Sequence, residues 1–303
     1  MAGQLKAKSI VVTGGAGFVG SYLVPALLAR DPNCSIKVLD NLQRGFREYV
    51  PDDVRVEFIN VDLKDLQGLE LHFRYADAVF HLASVVGGVE KVFANEGTVF
   101  HDTSLINLNV FNLCKRYRAS IKRVIYLSTA CCYPKHKQDF KFNPDGSVNL
   151  NFVKEEDVYP AEPESGYGMA KLIGEQLCEK LLDQNVYHII RLHNLYGPKM
   201  TCDASSQVVS HLIRKTLNLT NSKDNKVEVW GRGEQYRDFI FIKDAICGIM
   251  DVYEQDPINV RVIQLGSGYA TTVNELARAI YDIHYNKHGY THGRDIQIVS
   301  RVS

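Results

Sequence analysis

Two groups that could move a proton together stand four residues apart in "YGMAK": Tyr167 and Lys171. On a helix that spacing puts both on one face, one turn apart. A phenol has a reference pKa of about 10 and is a poor base at neutral pH. A neighbouring ammonium favours the phenolate. Such a phenolate can take the proton of an alcohol or sugar hydroxyl while hydride leaves its carbon. Alone, Y-x-x-x-K is a common accident on a solvated helix face. It gains meaning from "LSTACCYP" upstream, which ends an apolar run. There Thr129, with Ser128 beside it, offers a hydroxyl to bond the reacting oxygen. Cys131 follows with a thiol, whose reference pKa is about 8.5. Cys132 should point the other way and pack as a small hydrophobe.

A hydride needs an acceptor, and the N-terminal segment supplies a place for one. "VVTGGAGFVG" runs from an apolar strand through Gly14, Gly17 and Gly20 into a helix start with Phe18 and Val19. Such glycines let backbone approach a pyrophosphate, whose charge meets the helix N-terminus. Asp40 and Asn41 follow at the end of the next strand, "KVLDN". A carboxylate there bonds ribose hydroxyls and repels a 2′-phosphate, so the cofactor expected is NAD. Arg44 nearby softens that preference. Asp62, with Leu63, ends the third strand; it reads either as a contact to the adenine edge or as the N-cap of the helix that follows. Leu82, Ala83 and Ser84 end the fourth strand, where backbone would pass the pyrophosphate. His81, just before them, reads as a packed histidine. The positive ring of oxidised nicotinamide would add to the pull on the Tyr167 phenol.

These positions need strands whose ends converge. "KSIVVTG", "SIKVLDN", "VRVEFINVD", "AVFHLAS", "RVIYLST" and "VYHIIRLH" are continuously apolar, as expected of strands covered on both faces. Helical spacing recurs between them, at about 21–30, 102–118 and 167–183. The alternation predicts an α/β fold with a doubly wound, parallel Rossmann sheet. After about residue 195 the elements shorten: "KVEVWG", "DFIFIKDA", "RVIQLGSG", a helix from about Thr272, and "DIQIVS". The reading is a cofactor-binding domain over 1–195 and a smaller α+β substrate cap over 196–303, with a strand and a helix exchanged after 195. Residues 135–160 are polar and aperiodic, as for a loop near the cleft.

The 35 basic and 35 acidic residues cancel, which argues against nucleic acid or a charged membrane surface as partner. No apolar stretch approaches the roughly 20 residues of a membrane span, and no apolar block precedes the first strand. Seven scattered cysteines without a C-x-x-C pair argue against a disulfide framework and a zinc site. A cytoplasmic protein without a metal is expected.

The motifs "TGGAGFVG", "YGMAK", "RLHNLYGP" and "RGEQYRDFIFIKD" resemble the extended short-chain dehydrogenase/reductase family that acts on nucleotide-diphosphate sugars. The resemblance spans nearly the whole chain. It implies that Asn194 to Pro198 line the nicotinamide pocket and that Arg237 binds the sugar-nucleotide diphosphate. It implies a homodimer joined through the helices near 102–118 and 167–183. "ACCYP" is similar to the branch that epimerises GDP-sugars, where the cysteine matching Cys131 shuttles a proton. In that branch a lysine or histidine works from the opposite face; here the position falls on Gln207, whose amide cannot exchange protons at neutral pH. His211 and Lys199 lie nearby in sequence. The activity implied is NAD-dependent epimerisation through a transient 4-keto sugar, with a GDP-sugar favoured. A 4-dehydrogenase that releases the keto sugar and NADH, a 4,6-dehydratase and a non-catalytic dinucleotide sensor stay open.

Overall fold

The computed structural model describes residues 8–87, 94–138, 141–142, 148–149, 153–184, 186–203, 206–219, 226–255, 261–287 and 297–301. In chain order the elements are β1 (Ser9–Thr13), α1 (Gly20–Arg30), β2 (Ser35–Asp40), β3 (Val56–Asn60), α2 (Leu66–Phe73), β4 (Ala78–His81), α3 (Glu96–Arg116) and β5 (Arg123–Thr129). Then come the single turn α4 (Lys135–Gln138), β6 (Lys141–Phe142), β7 (Val148–Asn149), α5 (Gly166–Leu181), β8 (Tyr187–Leu192) and β9 (Asn194–Tyr196). The last third holds α6 (Val208–Leu219), β10 (Lys226–Trp230), β11 (Tyr236–Phe241), α7 (Ile242–Glu254), β12 (Val262–Leu265), β13 (Ala270–Thr272), α8 (Val273–Lys287) and β14 (Gln297–Arg301).

Seven strands form one parallel sheet in the order β12-β8-β5-β4-β1-β2-β3. The apolar runs become strands because β-branched residues suit a pleated ladder that is covered on both sides. Strand alternation divides them between two cores. Val12, Ile125 and Ile190 join α1 and α7 residues such as Leu23, Leu27, Ile246 and Ile249. Val11, Val124 and Ile189 join Val110 and Phe111 of α3 and Cys178 of α5 on the other face. The chain departs from β1 in both directions, so the switch point lies between β1 and β4. A crevice is expected there, beyond the strands' C-terminal ends. Asp40, His81 and Thr129 all close their strands on that edge.

The later residues make smaller sheets. β9, β11 and β13 form one, parallel between β9 and β11 and antiparallel between β11 and β13; β10 pairs with β14. Leu212 and Leu219 of α6, Val227 and Val229 of β10, and Ala277 and Tyr281 of α8 form a separate core. β12 returns to the edge of the main sheet beside β8, and α7 packs on α1. Most of the polar segment 135–160 is described; residues 139–140, 143–147 and 150–152 of it lie outside the described residues.

Candidate active site

One continuous cleft of about 1400 Å³ runs along this sheet edge. Single-ligand pockets span roughly 300–1,000 Å³, so this cleft has room for two ligands end to end. Its first wall is the loop between β1 and α1. Gly14 adopts φ +70°, and a Cβ there would stand 2.8 Å from the Ala83 backbone. A Cβ at Gly20 would stand 2.3 Å from the Gly15 carbonyl oxygen. These two glycines permit close packing within the protein. At Gly17 an added Cβ would meet only the Gly14 oxygen, at 3.2 Å, so that side of the loop faces the cleft. That is the arrangement a pyrophosphate needs against a helix N-terminus, and these residues fit a bound dinucleotide.

Asp40 sits 8% exposed at the tip of β2. It accepts hydrogen bonds from the Ala16 amide (3.1 Å) and the Leu42 amide (2.9 Å). Burial raises its pKa against the pull of those two amides. Each carboxylate oxygen has a second lone pair to offer a ribose. Asn41, Asp62 and Leu63 line the cleft beside it, with Phe18 and Val19 at the loop and Leu82, Ala83 and Ser84 after β4. Asp62 is not the helix N-cap, one of its two sequence readings. Asp65 holds that place, accepting from the Gln67 and Gly68 amides, because α2 begins at Leu66. Asp62 instead accepts from the Lys64 amide at 2.9 Å and faces the Asn41 amide at 3.4 Å. His81 is fully buried between Thr13 (2.7 Å) and Asn107 (3.0 Å). Burial, reinforced by Lys171, pushes its pKa down to about 3, so it is a neutral core residue.

The middle of the cleft gathers β5 and α5. Ser165 caps α5, its Oγ accepting from the Gly168 amide at 3.3 Å, and so fixes the first turn that carries Tyr167. The hydroxyls of Ser84 and Thr129 lie near enough to the Tyr167 phenol to pull its pKa down. Burial is the largest influence on that phenol, followed by Cys131, and its pKa stands above the ordinary value despite both hydroxyls. Among the protein's own groups desolvation outweighs the two hydroxyls. Lys171 is 1% exposed, with Nζ 4.2 Å from the Tyr126 ring centre. Burial brings its pKa down to about 7, with Glu175 opposing. Thr129 accepts from the Cys131 amide at 3.2 Å. Cys131 opens onto the cleft. Desolvation raises its pKa, and the approaches of Thr129 and then Arg237 lower it.

Ser128 is brought to the same wall, but its hydroxyl is turned away. It donates to Glu175 Oε1, so Thr129 is the hydroxyl that meets the phenol. Successive strand residues point to opposite faces, which separates the two. Sequence reasoning missed the group that takes Ser128. Glu175 and Arg191 are 2% and 3% exposed and form an ion pair at 2.7 Å. Arg191 also donates to the Tyr133 hydroxyl (2.8 Å) and the Glu155 carbonyl (2.7 Å). The signal was present: Glu175 lies four residues past Lys171, on the same helix face. Cys132 is fully buried against Tyr133, Val158 and Leu172, as expected of a core thiol.

The third portion is lined by Asn194, Gln207, His211 and Arg237. Asn194 donates to the Asp238 carbonyl at 2.9 Å, which ties β9 to β11. Gln207 is exposed just before α6, and His211 lies one turn on. Lys199 is absent from the cleft wall. Its ammonium lies 5.2 Å and 5.3 Å from the rings of Tyr22 and Tyr49, on the side of α1.

Residues 10–266 match the model of the "NAD dependent epimerase/dehydratase family". The chain is 30% identical to GDP-mannose 3,5-epimerase of Arabidopsis thaliana over 286 residues, 92% of this chain and 70% of that protein. It is 28% identical to a putative UDP-glucose 4-epimerase of Methanocaldococcus jannaschii over 276 residues, 88% of this chain and 79% of that protein. In structure it is similar to UDP-N-acetylglucosamine 4-epimerase from Methanobrevibacter ruminantium, solved with UDP-N-acetylmuramic acid. The TM-score is 0.76 at 28% identity, covering 99% of this chain and 86% of that one. With the glycine loop, the Tyr167–Lys171 helix and the parallel sheet in one molecule, the chain belongs to the NAD-dependent epimerase/dehydratase family.

Proposed function

We propose that this chain is an NAD-dependent epimerase of nucleoside-diphosphate sugars that works through a transient 4-keto sugar, with a GDP-sugar as substrate. One observation carries the reading: Thr129, whose Oγ1 accepts from the Cys131 amide at 3.2 Å, stands beside both the Tyr167 phenol and the Cys131 thiol in the cleft that begins at the glycine loop. Tyr167 takes the proton of the sugar C4 hydroxyl, and Thr129 orients that oxygen. Bound NAD supplies the hydride acceptor and a positive ring that lowers the phenol's pKa. The ketone acidifies the C3 and C5 protons, because the carbanions delocalise as enolates. Cys131 then moves one such proton. Inversion needs a second group on the opposite face. His211 takes that role in this reading, since it lines the cleft and Lys199 does not. Arg237, close enough to Cys131 to stabilise its thiolate, clamps the diphosphate.

The same proposal divides the chain into a cofactor-binding domain over 1–195, completed by β12 and α7, and a substrate cap over 196–303. It pairs two chains through α3 and α5, where Phe100 and Leu108 are 36% and 41% exposed. Seven unpaired cysteines fit a reducing, cytoplasmic setting.

The amide of Gln207, where the GDP-sugar branch has an acid/base, favours a second reading: net oxidation at C4 with release of keto sugar and NADH. Absorbance of NADH during a single turnover with a panel of nucleoside-diphosphate sugars separates them. An epimerase shows a small rise that decays. Accumulation to one NADH per sugar sinks epimerisation, and no change with any sugar sinks both.

A further inference from the structure

Lys199 takes no part in the chemistry above, yet contacts converge on it and on Pro198. Its ammonium lies 5.2 Å from the Tyr22 ring centre and 5.3 Å from that of Tyr49, within cation–π range of both, with the Ser21 carbonyl 3.5 Å away. The Tyr49 hydroxyl donates to the Lys199 carbonyl at 3.2 Å. The Tyr22 hydroxyl donates to the Pro198 carbonyl at 3.0 Å. Two tyrosines thus hold two consecutive residues by their hydroxyls and share one ammonium between their rings. The backbone at Lys199 is left-handed, with φ +69°. A residue with a side chain is strained there, and such a conformation persists where its surroundings fix it. Among the described residues only one other non-glycine, Leu42 at φ +58°, adopts it. Leu42 lies in the loop after β2, the one that leads to Tyr49.

The two sides of this clasp belong to different parts of the cleft. Tyr22 lies on α1, directly behind the glycine loop, and Tyr49 follows Asp40 and Asn41 in the chain. That side is secured without Lys199. The Phe46 amide donates to the Ala16 carbonyl at 3.0 Å, the Tyr49 amide donates to the Phe46 carbonyl at 3.0 Å, and Tyr22 packs edge-on against Phe18. The other side leads into the third portion of the cleft. Met200 and Thr201 line it directly after Lys199. Ser206 Oγ donates to the Thr201 carbonyl at 2.8 Å, and Ser206 and Gln207, which line the cleft too, lead into α6. From the two tyrosine anchors and the left-handed turn between them, we infer that Lys199 is a positioning residue. It fastens the start of the substrate half to the cofactor-binding elements and so sets the wall of Met200, Thr201, Ser206 and Gln207 against which a nucleoside-diphosphate sugar binds. This rests on the sugar-nucleotide reading above. Because the cofactor side holds itself, loss of the clasp weakens the nucleotide and spares NAD.

The test is calorimetric titration of the full chain with NAD, and of the NAD-loaded chain with GDP and with UDP. Wild type is compared with Lys199→Met, Lys199→Gly and Lys199→Arg. Methionine keeps a long unbranched chain without the charge. Glycine removes both the charge and the backbone strain. Arginine keeps a cation that stacks on aromatic faces. Lys199→Met should bind the nucleotide that wild type prefers about five- to thirtyfold more weakly, as two cation–π contacts predict, with NAD affinity within about twofold of wild type. Lys199→Gly should lose as much, although its strain is relieved. Lys199→Arg should return to within about threefold of wild type. Unchanged nucleotide affinity in Lys199→Met, wild-type affinity in Lys199→Gly, or no rescue by arginine would each overturn the inference. NAD and nucleotide affinities that fall together in Lys199→Met mark a merely structural contact and overturn it too. Wild type that binds NAD but neither GDP nor UDP would overturn the sugar-nucleotide reading as well. If Lys199→Met lowers stability, Tyr49→Phe serves as the second variant, keeping the ring and losing the bond to the Lys199 carbonyl. It should weaken the nucleotide about two- to tenfold and spare NAD; equal loss of both, or loss of neither, counts against the inference.

Discussion

Replacing Lys171 by methionine should stabilise the fold while removing turnover. Its ammonium is 1% exposed, and burial brings its pKa from 10.5 to about 7. The unfolded chain keeps lysine near about 10.4. A folded pKa below the unfolded one means that the unfolded state binds more protons between those values. Wild-type stability therefore rises with pH from about 7 to about 10.5, and the ammonium's penalty is fully present below that window. Linkage puts the penalty at about 4 kcal/mol at pH 7, falling to about 1 kcal/mol at pH near 9.5. These are ceilings, because relaxation around the neutral amine lowers them. Methionine keeps an unbranched chain of similar length, so packing against Tyr126 is largely preserved. Urea unfolding followed by circular dichroism at both pH values measures the gap. The variant should be more stable than wild type at pH 7, with the gap shrinking by more than half at the higher pH. A gap that does not change with pH, or a variant less stable at both, would refute the assignment of a strained, buried ammonium. Turnover of the same variant should fall at least about 100-fold.

Gly17→Ala should leave thermal stability nearly unchanged but weaken NAD binding at least tenfold, because its Cβ enters the cleft; Gly14→Ala should lower stability by about 1–3 kcal/mol through its positive φ and the Ala83 backbone. Paired melting and NAD titrations check both. Glu175→Ala leaves Arg191 charged and buried, so unfolding free energy should drop by about 3–5 kcal/mol, and the double replacement Glu175→Met with Arg191→Met should recover most of it. Tyr167→Phe should bind NAD as wild type does and lose turnover by about 100-fold or more in steady-state assays.

The sheet was legible because strands buried on both faces read as unbroken apolar runs, and "KSIVVTG" or "RVIYLST" resembles little else. The glycine loop was legible because backbone constraint leaves a residue-type signature at fixed spacing. Side-chain direction was not. The sequence favours Thr129 over Ser128 without a reason; the reason is Glu175, which takes the Ser128 hydroxyl from 47 residues away. Asp62 and Asp65 are both plausible caps until the first helical residue is known. Lys199 looks available for catalysis near Gln207, but two aromatic rings from distant segments, Tyr22 and Tyr49, take its ammonium.

The most direct test of the proton shuttle is incubation of the wild-type protein and Cys131→Ala with a GDP-sugar in deuterated water, followed by proton NMR of the sugar ring. The account predicts deuterium at C3 or C5 with wild type and a loss of at least one of these exchanges with Cys131→Ala. Retention of protium at both carbons in wild type, with the sugar bound and NAD present, would contradict it.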